Sequence, residues 1–284
     1  MHGSVNDTML DPDTAADPAA GDIVRSIALH GRVAIITGAA GGFGSAITRT
    51  LAGAGARIVL VGRDAARLEV LRSSLGDDRA SVVAGDLSVV DEGDRIVERS
   101  SALWGPPDIL VNCTGGATVG GLMSVEDATW RADIDGKLLA YVRMMRACAR
   151  AMGPRRRGRI INVIGLAGHE PYHLLTVPSA INAALLALTK TVADELAPDG
   201  ILVNAVNPNA ADTELGDRMI ANLAAAQHAA PSQVREYLVG ATPLARLARP
   251  ADVANAVLFY ASGLSSFLTG TSLTVDGGAH RAIA

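Results

Sequence analysis

Four glycines, Gly38, Gly41, Gly42 and Gly44, follow directly on the apolar run Val33–Thr37, and Ile47 and Leu51 then fall one helical turn apart before Gly53 and Gly55. Glycine lets a backbone turn sharply and come close to a pyrophosphate, and a helix beginning there turns its free N–H groups and positive dipole end toward the anion. Between a first strand and a first helix, this turn is expected to bind phosphate rather than merely to reverse the chain. A second apolar run ends in Gly62-Arg63-Asp64. An acidic residue at its end would bind ribose hydroxyls and repel a 2′-phosphate. Gly62 offers no carboxylate and Arg63 can clamp a phosphate with two donors, so NADP is the expected dinucleotide. NAD stays open, because a one-residue shift of the loop would present Asp64 instead.

A further constellation is His169-Glu170-Pro171-Tyr172-His173, which matches the His-Glu-x-x-His pattern of zinc peptidases. That chemistry needs both imidazoles on one face of a helix, one turn apart. Pro171 suits the first position of a helix, which would leave His169 outside it. No third ligand is placed by the sequence, so no metal is expected and the histidines are read as pocket or surface residues.

The elements that must position these groups alternate. Short β-branched runs at 32–37, 57–62, 80–84, 108–112, 158–164, 200–206 and 271–275 are separated by stretches long enough for helical crossovers. Near-continuous apolar strands are covered on both faces, so the expectation is a single doubly wound α/β domain of the Rossmann type, with a seven-stranded parallel sheet flanked by helices. The helix at 179–196 is expected to bury a stripe of Ala180, Ala184, Leu185, Leu188, Val192 and Leu196, stopped by Pro198 and Gly200. Residues 1–25 read as a flexible acidic tail and 26–284 as the domain.

With 284 residues, 49% of them hydrophobic and 19% charged, the chain can bury a substantial core. Its net charge of -4 gives no excess of cations for a phosphate backbone or an anionic bilayer, so neither nucleic acid nor membrane is an expected partner. The apolar runs are too short to span a bilayer. Two cysteines, Cys113 and Cys148, lack the spacing of a disulfide framework, and the acidic N-terminus lacks a signal peptide's basic start, so the cytoplasm is the expected location. Arg155 to Arg157 read as a solvated charge run.

The spacing Thr37-Gly38-x-x-x-Gly42-Phe43-Gly44 resembles the short-chain dehydrogenase/reductase family, and the resemblance extends over roughly residues 30 to 280. Other landmarks of that family fall in order: Asp86-Leu87, where the adenine would lie, Asn112-Cys113-Thr114-Gly115, Asn204-Ala-Val-Asn-Pro208 with Thr213 where the family contacts the carboxamide, and Asp276-Gly277-Gly278. The resemblance implies a nicotinamide dinucleotide site built from Thr37, Gly38, Gly42, Phe43, Gly44, Arg63, Asp86, Leu87, Asn112, Thr114, Gly115, Asn182, Pro208 and Thr213. It also implies a homo-oligomer, dimer or tetramer, acting on a small molecule. The segment 213–250, with Met219, Leu223, Tyr237 and Leu238, would cover a hydrophobic substrate. A helical excursion packing its own side chains reads equally well.

The family's catalytic set is a Tyr-x-x-x-Lys pair, a preceding Ser and an Asn on the helix before it. In the register fixed by Ala183 to Lys190, Pro178 stands at the Tyr position, Asn182 at the Lys, Gly165 at the Ser and Lys137 at the Asn. No Tyr-x-x-x-Lys occurs elsewhere, since Met145, Thr176, Ala241 and Leu264 follow the four tyrosines at that spacing. Proline and glycine have no side-chain donor. The lysine and the asparagine look exchanged. The expectation is therefore an NADP(H)-dependent oxidoreductase of a hydrophobic ketone or alcohol with a non-standard acid/base set. Lys137 would be the electrostatic element, Tyr172 or His173 the proton donor, and Asn182 the ribose contact. Two alternatives stand beside it: a non-redox enzyme of the same fold, such as a lyase, isomerase or dehydratase, and a catalytically silent nucleotide-binding protein.

Overall fold

A computed structural model describes residues 23–76 and 78–281. The short helix α1 (Ile23–Ile27) leads into β1 (Val33–Thr37), α2 (Gly42–Gly53), β2 (Arg57–Gly62), α3 (Ala65–Ser73), β3 (Ala80–Ala84), α4 (Glu92–Trp104) and β4 (Ile109–Asn112). Then come α5 (Asp127–Asp133), a π-helical turn (Ile134–Leu139), α6 (Ala140–Met152), β5 (Gly158–Val163), α7 (Thr176–Leu196) and β6 (Ile201–Pro208). The helices α8 (Glu214–Ala226), α9 (Pro231–Gly240) and α10 (Pro250–Ala261) precede β7 (Ser272–Val275). Of the acidic tail read over 1–25, residues 1–22 lie outside the described residues and the rest belong to α1.

The seven strands form one parallel sheet in the order β3-β2-β1-β4-β5-β6-β7. Strand alternation sends Val33, Ile35, Val59 and Val61 to one face, where they meet Ile96 of α4, Tyr141 and Met144 of α6, and Ile181 and Leu185 of α7. Ala34, Ile36, Ile58 and Leu60 face the other side, against Ile47 and Leu51 of α2, Leu68 of α3 and Val257 of α10. This is the doubly wound architecture that the continuous apolar runs require. The strand order reverses between β1 and β4, which opens a crevice at their carboxyl ends, where such sheets bind ligands.

Several details depart from the sequence reading. Gly200 has φ +66 and caps the turn before β6, so that strand starts one residue later than expected and runs on to Pro208, paired with Val275 of β7. Helix α7 begins at Thr176 and buries Val177, Ile181, Asn182, Leu185, Thr189 and Ala193, a stripe rotated from the expected one. Ala180 is exposed, and Ala184, Leu188, Val192 and Leu196 are only half-buried. The rotation follows from a buried polar ladder: the Asn112 side chain donates to Asn162 Oδ1 (3.0 Å), and Asn162 donates to Thr189 Oγ1 (3.1 Å). That ladder ties β4, β5 and α7 together, so the helix presents polar side chains to the sheet that a hydropathy period does not count.

The arginine run is not a solvated charge run. Arg155 and Arg157 turn inward to Asp108 (2.9 and 3.2 Å), whose carboxylate also accepts the Val33 N–H (2.9 Å) and lies 3.7 Å from Arg32. Only Arg156 points outward, donating to the Pro198 carbonyl from a left-handed backbone (φ 51°). This cluster staples the amino ends of β1 and β4, opposite the crevice.

Candidate functional site

The glycine turn is built so that little but glycine fits. Gly38 has φ +63, and a Cβ there would stand 2.6 Å from the Cys113 carbonyl oxygen. At Gly44 a Cβ would stand 2.1 Å from the Gly38 carbonyl oxygen, and at Gly42 it would meet the methyl of Thr213 at 2.5 Å. Backbone is thereby packed on backbone between β1, α2 and the loop after β4. Thr37 locks this arrangement from behind, its hydroxyl accepting the Cys113 N–H (3.0 Å). Helix α2 has a glycine N-cap, no side-chain cap and no acidic residue in its first turn. Its first N–H groups and dipole therefore remain for an anion.

A cleft of about 780 Å³ opens over this turn. Of the residues expected at a cofactor site, Gly38, Gly42, Phe43, Gly44, Arg63, Asp86, Leu87, Thr114, Gly115 and Thr213 line it, together with Lys137. Thr37, Asn112, Asn182 and Pro208 do not; all four are buried behind the wall, where the first three hold its loops by hydrogen bonds. Thr213 caps α8, its hydroxyl accepting the Gly216 N–H (3.0 Å).

At the end of β2, Asp64 is the N-cap of α3 and its carboxylate accepts the Arg67 N–H (3.0 Å). Arg63 is exposed at the cleft's rim. One helical turn on, Arg67 also lines the cleft and pairs with Glu214 (3.0 Å) at the start of α8. Arg67 is not among the residues expected at the cofactor site, although the spacing Arg63-x-x-x-Arg67 at a helix start carried the signal. Hydrogen bonds from the Ser88 backbone and hydroxyl (3.0 and 2.8 Å) hold the Asp86 carboxyl below its usual range, helped by Arg63.

The opposite end of the cleft holds Lys137, on the π-helical turn between α5 and α6. A π-bulge inserts one extra residue into a helix and re-aims the residues beyond it, frequently at functional sites. The Lys137 ammonium donates to the Ile164 carbonyl (2.9 Å) and to Asn182 Oδ1 (2.7 Å). Asn182 in turn donates weakly to the Gly165 carbonyl (3.4 Å). Burial lowers the Lys137 pKa from 10.5 to about 8, with Cys113 and Asp133 opposing that fall. The Cys113 thiol is pushed up to about 12 by burial. Gly165 adopts φ +127, a conformation in which a side chain would be strained, and a Cβ there would stand 3.1 Å from Asn182 Nδ2. Pro178 sits in the first turn of α7, where a missing N–H costs no intrahelical bond, and shows its ring to the cleft.

Neither Tyr172 nor His173 is on the cleft wall. Tyr172 packs into the cluster of Ile220, Leu223, Val234 and Leu247 that holds α8 and α9 together, and its hydroxyl accepts from Gln227 (2.8 Å). His173 is exposed and its ring lies 4.5 Å from that of Tyr172. The covering segment thus spends Leu223 on its own core and Met219 against it, and turns Leu215 to the cleft. The His-Glu-x-x-His segment is not helical beyond a short turn at Leu166–Gly168. His169 instead contacts Ser272 and Asn207 (3.2 Å each), and Glu170 pairs with His280 (2.7 Å). Among the described residues no group of three His, Cys, Asp or Glu is placed to hold a metal ion.

A nicotinamide dinucleotide fits the residues present. The glycine cradle would be filled by any Cβ, the α2 N-terminus carries no side-chain cap, and the buried Thr114 hydroxyl on the cleft wall has no partner among the described residues.

Comparison with known proteins agrees. Residues 38–280 match a family described as enoyl-(acyl carrier protein) reductase. The chain is 34% identical over 253 residues to a 2,3-dihydro-2,3-dihydroxybenzoate dehydrogenase of Bacillus subtilis, covering 88% of this chain and 97% of that one. It is 31% identical over 251 residues to the 3-oxoacyl-(acyl-carrier-protein) reductase of Escherichia coli, with 88% and 97% covered. Among solved structures, an actinorhodin polyketide ketoreductase with NADPH superposes with a TM-score of 0.84 at 26% identity, over 87% of this chain and 97% of that one.

Proposed function

The chain belongs to the short-chain dehydrogenase/reductase family of NAD(P)-dependent oxidoreductases, and from that premise we propose that it is an NADP(H)-dependent oxidoreductase of a hydrophobic ketone or alcohol, using a non-standard acid/base set. The observation that carries the reading is the juxtaposition of a glycine cradle, an arginine pair and a half-buried lysine around one cleft. Bound there, the nicotinamide would supply or accept the hydride. The chain would do the rest. Gly38, Gly42, Phe43 and Gly44 would let the α2 N-terminus hold the pyrophosphate. Asp86 and Leu87 would hold the adenine, and Thr114, Gly115 and Thr213 the nicotinamide end.

Preference for the phosphorylated dinucleotide rests on Arg63 and Arg67 at the end of β2, which flank Asp64 on the cleft wall. A guanidinium clamps a phosphate with two parallel donors, and both arginines line the cleft. Two solved relatives are described with NADPH or as NADPH-dependent, the ketoreductase above and a reductase of bacilysin biosynthesis (TM-score 0.83, 26% identity). An apolar substrate is favoured by Pro178, Ile181 and Leu215 on the wall beside Lys137. No helix among the described residues is long and apolar enough to cross a membrane, and we place the enzyme in the cytoplasm as a dimer or tetramer. The exposed Phe267 and Leu273, near or on the open edge strand β7, suit such an assembly.

The test is incubation with NADPH and a panel of apolar ketones, followed by loss of the reduced nicotinamide's absorbance and by product analysis. Stoichiometric cofactor oxidation with a ketone converted to its alcohol is expected. Products altered without any change in the cofactor would favour a lyase or isomerase, and tight binding without turnover a silent binding protein.

A further inference from the structure

The geometry of Lys137 points to more than an electrostatic role: we propose that this lysine is itself the proton donor and acceptor of the reaction. The assignment rests on the oxidoreductase reading above and adds to it the identity of the missing acid. Three features carry it. First, the ammonium has two fixed acceptors, the Ile164 carbonyl (2.9 Å) and Asn182 Oδ1 (2.7 Å). An ammonium has three donors, so one N–H is left for the cleft that Lys137 lines. Second, the other expected donors drop out: Pro178 and Gly165 have no side-chain proton, and Tyr172 and His173 lie off the wall. Third, Asn182 accepts from Lys137 and points its amide toward Gly165, so it positions the lysine and carries no titrating proton.

The charged and titratable groups around Lys137 do not compete for this task. From the loop after β4, Cys113 keeps its proton. Asp133 at the end of α5 favours the ammonium, and Asp135 on the π-turn is tied to Arg143 (3.0 Å). From α8, Glu214 is paired with Arg67 and Arg218 (3.0 and 3.3 Å). On α7 the wall is Pro178 and Ile181, and the loop after β5 offers only the carbonyls of Ile164 and Gly165.

In the reducing direction the Lys137 ammonium gives its proton to the carbonyl oxygen as the carbonyl carbon takes the hydride that a bound reduced nicotinamide would supply. One N–H bond breaks, one O–H bond forms, and the neutral amine regains a proton from water, while the dinucleotide, as the reductant, would be left oxidised. Oxidation runs the same steps backward, with the neutral amine accepting the hydroxyl proton. Burial sets the amine to change state near pH 8. Reduction therefore needs the form present below that pH and declines above it, whereas oxidation rises toward it.

The experiment compares wild type, Lys137→Arg and Lys137→Met, using NADPH with 1-phenyl-1,2-propanedione and the ketone panel as probes, over a pH series. NADPH affinity and thermal unfolding are measured alongside. A positioned acid contributes about a hundred- to ten-thousand-fold. Both variants should lose kcat by at least about a hundredfold, with NADPH affinity kept within about threefold, and the limb near pH 8 should vanish. Arginine keeps the charge but does not deprotonate, so an Arg variant with wild-type kcat would show the charge alone sufficing and would overturn the assignment. Unchanged kcat and pH limb in Lys137→Met would overturn it as well, leaving the oxidoreductase reading intact. If the folded wild type oxidises NADPH with no probe, that reading fails and this assignment falls with it.

Discussion

Replacing Arg63 with alanine tests how the chain chooses between dinucleotides. Arg63 stands at the cleft's rim where β2 ends, and one oxygen of the neighbouring Asp64 carboxylate caps the first turn of α3. A hydrogen bond to a charged group is worth about 1.5–3 kcal/mol, and exposure to solvent and salt brings the figure toward its lower end. A loss of about 1–2 kcal/mol corresponds to NADPH binding weakened about 5- to 30-fold. NADH lacks the 2′-phosphate and should bind the variant within about twofold of wild type. Titrating nicotinamide fluorescence with both cofactors, at low and moderate salt, reads the difference directly. The NADPH penalty should shrink as salt rises, because an exposed ion contact is screened. Equal losses for both cofactors would show that Arg63 supports the fold rather than the phosphate. No loss for either would remove it from the site, and with it the reason for preferring NADP.

Two further outcomes rest on packing. In Gly44→Ala the new Cβ, 2.1 Å from the Gly38 carbonyl oxygen, must push the glycine turn open, so NADPH affinity should fall by more than about tenfold while circular dichroism stays native; retained affinity would disconnect the turn from the nucleotide. In Asp108→Ala three arginines lose their shared carboxylate and the Val33 N–H its acceptor, so urea unfolding should show a loss of about 3–5 kcal/mol, with NADPH affinity unchanged because the cluster lies at the far end of the strands.

Much of this was legible in the residues. Short β-branched runs such as Ile58 to Val61 can only be central strands buried on both faces, and their spacing demanded helical crossovers. The glycine turn was readable because steric crowding at Gly38 and Gly44 leaves no other residue type. What escaped the sequence were long-range polar contacts. The Asn112–Asn162–Thr189 ladder rotates α7, and no hydropathy period registers asparagine as core. Asp108 draws in Arg155 and Arg157 across 47 residues of chain and more, so the run looked solvated. The exchange of Lys137 and Asn182 was visible as a substitution pattern, but their contact needed the π-helical turn, which has no signature in composition. Tyr172 was expected at the pocket because it follows β5 closely; its ring packs instead into the apolar cluster of α8 and α9.

Calorimetric titration of the wild-type protein with NADPH tests the central claim most directly. The account predicts one site per chain with a dissociation constant in the micromolar range or below, competed by NADP⁺ and abolished by no metal chelator. Absence of heat and of competition up to millimolar NADPH and NADH, with a folded sample, would contradict it.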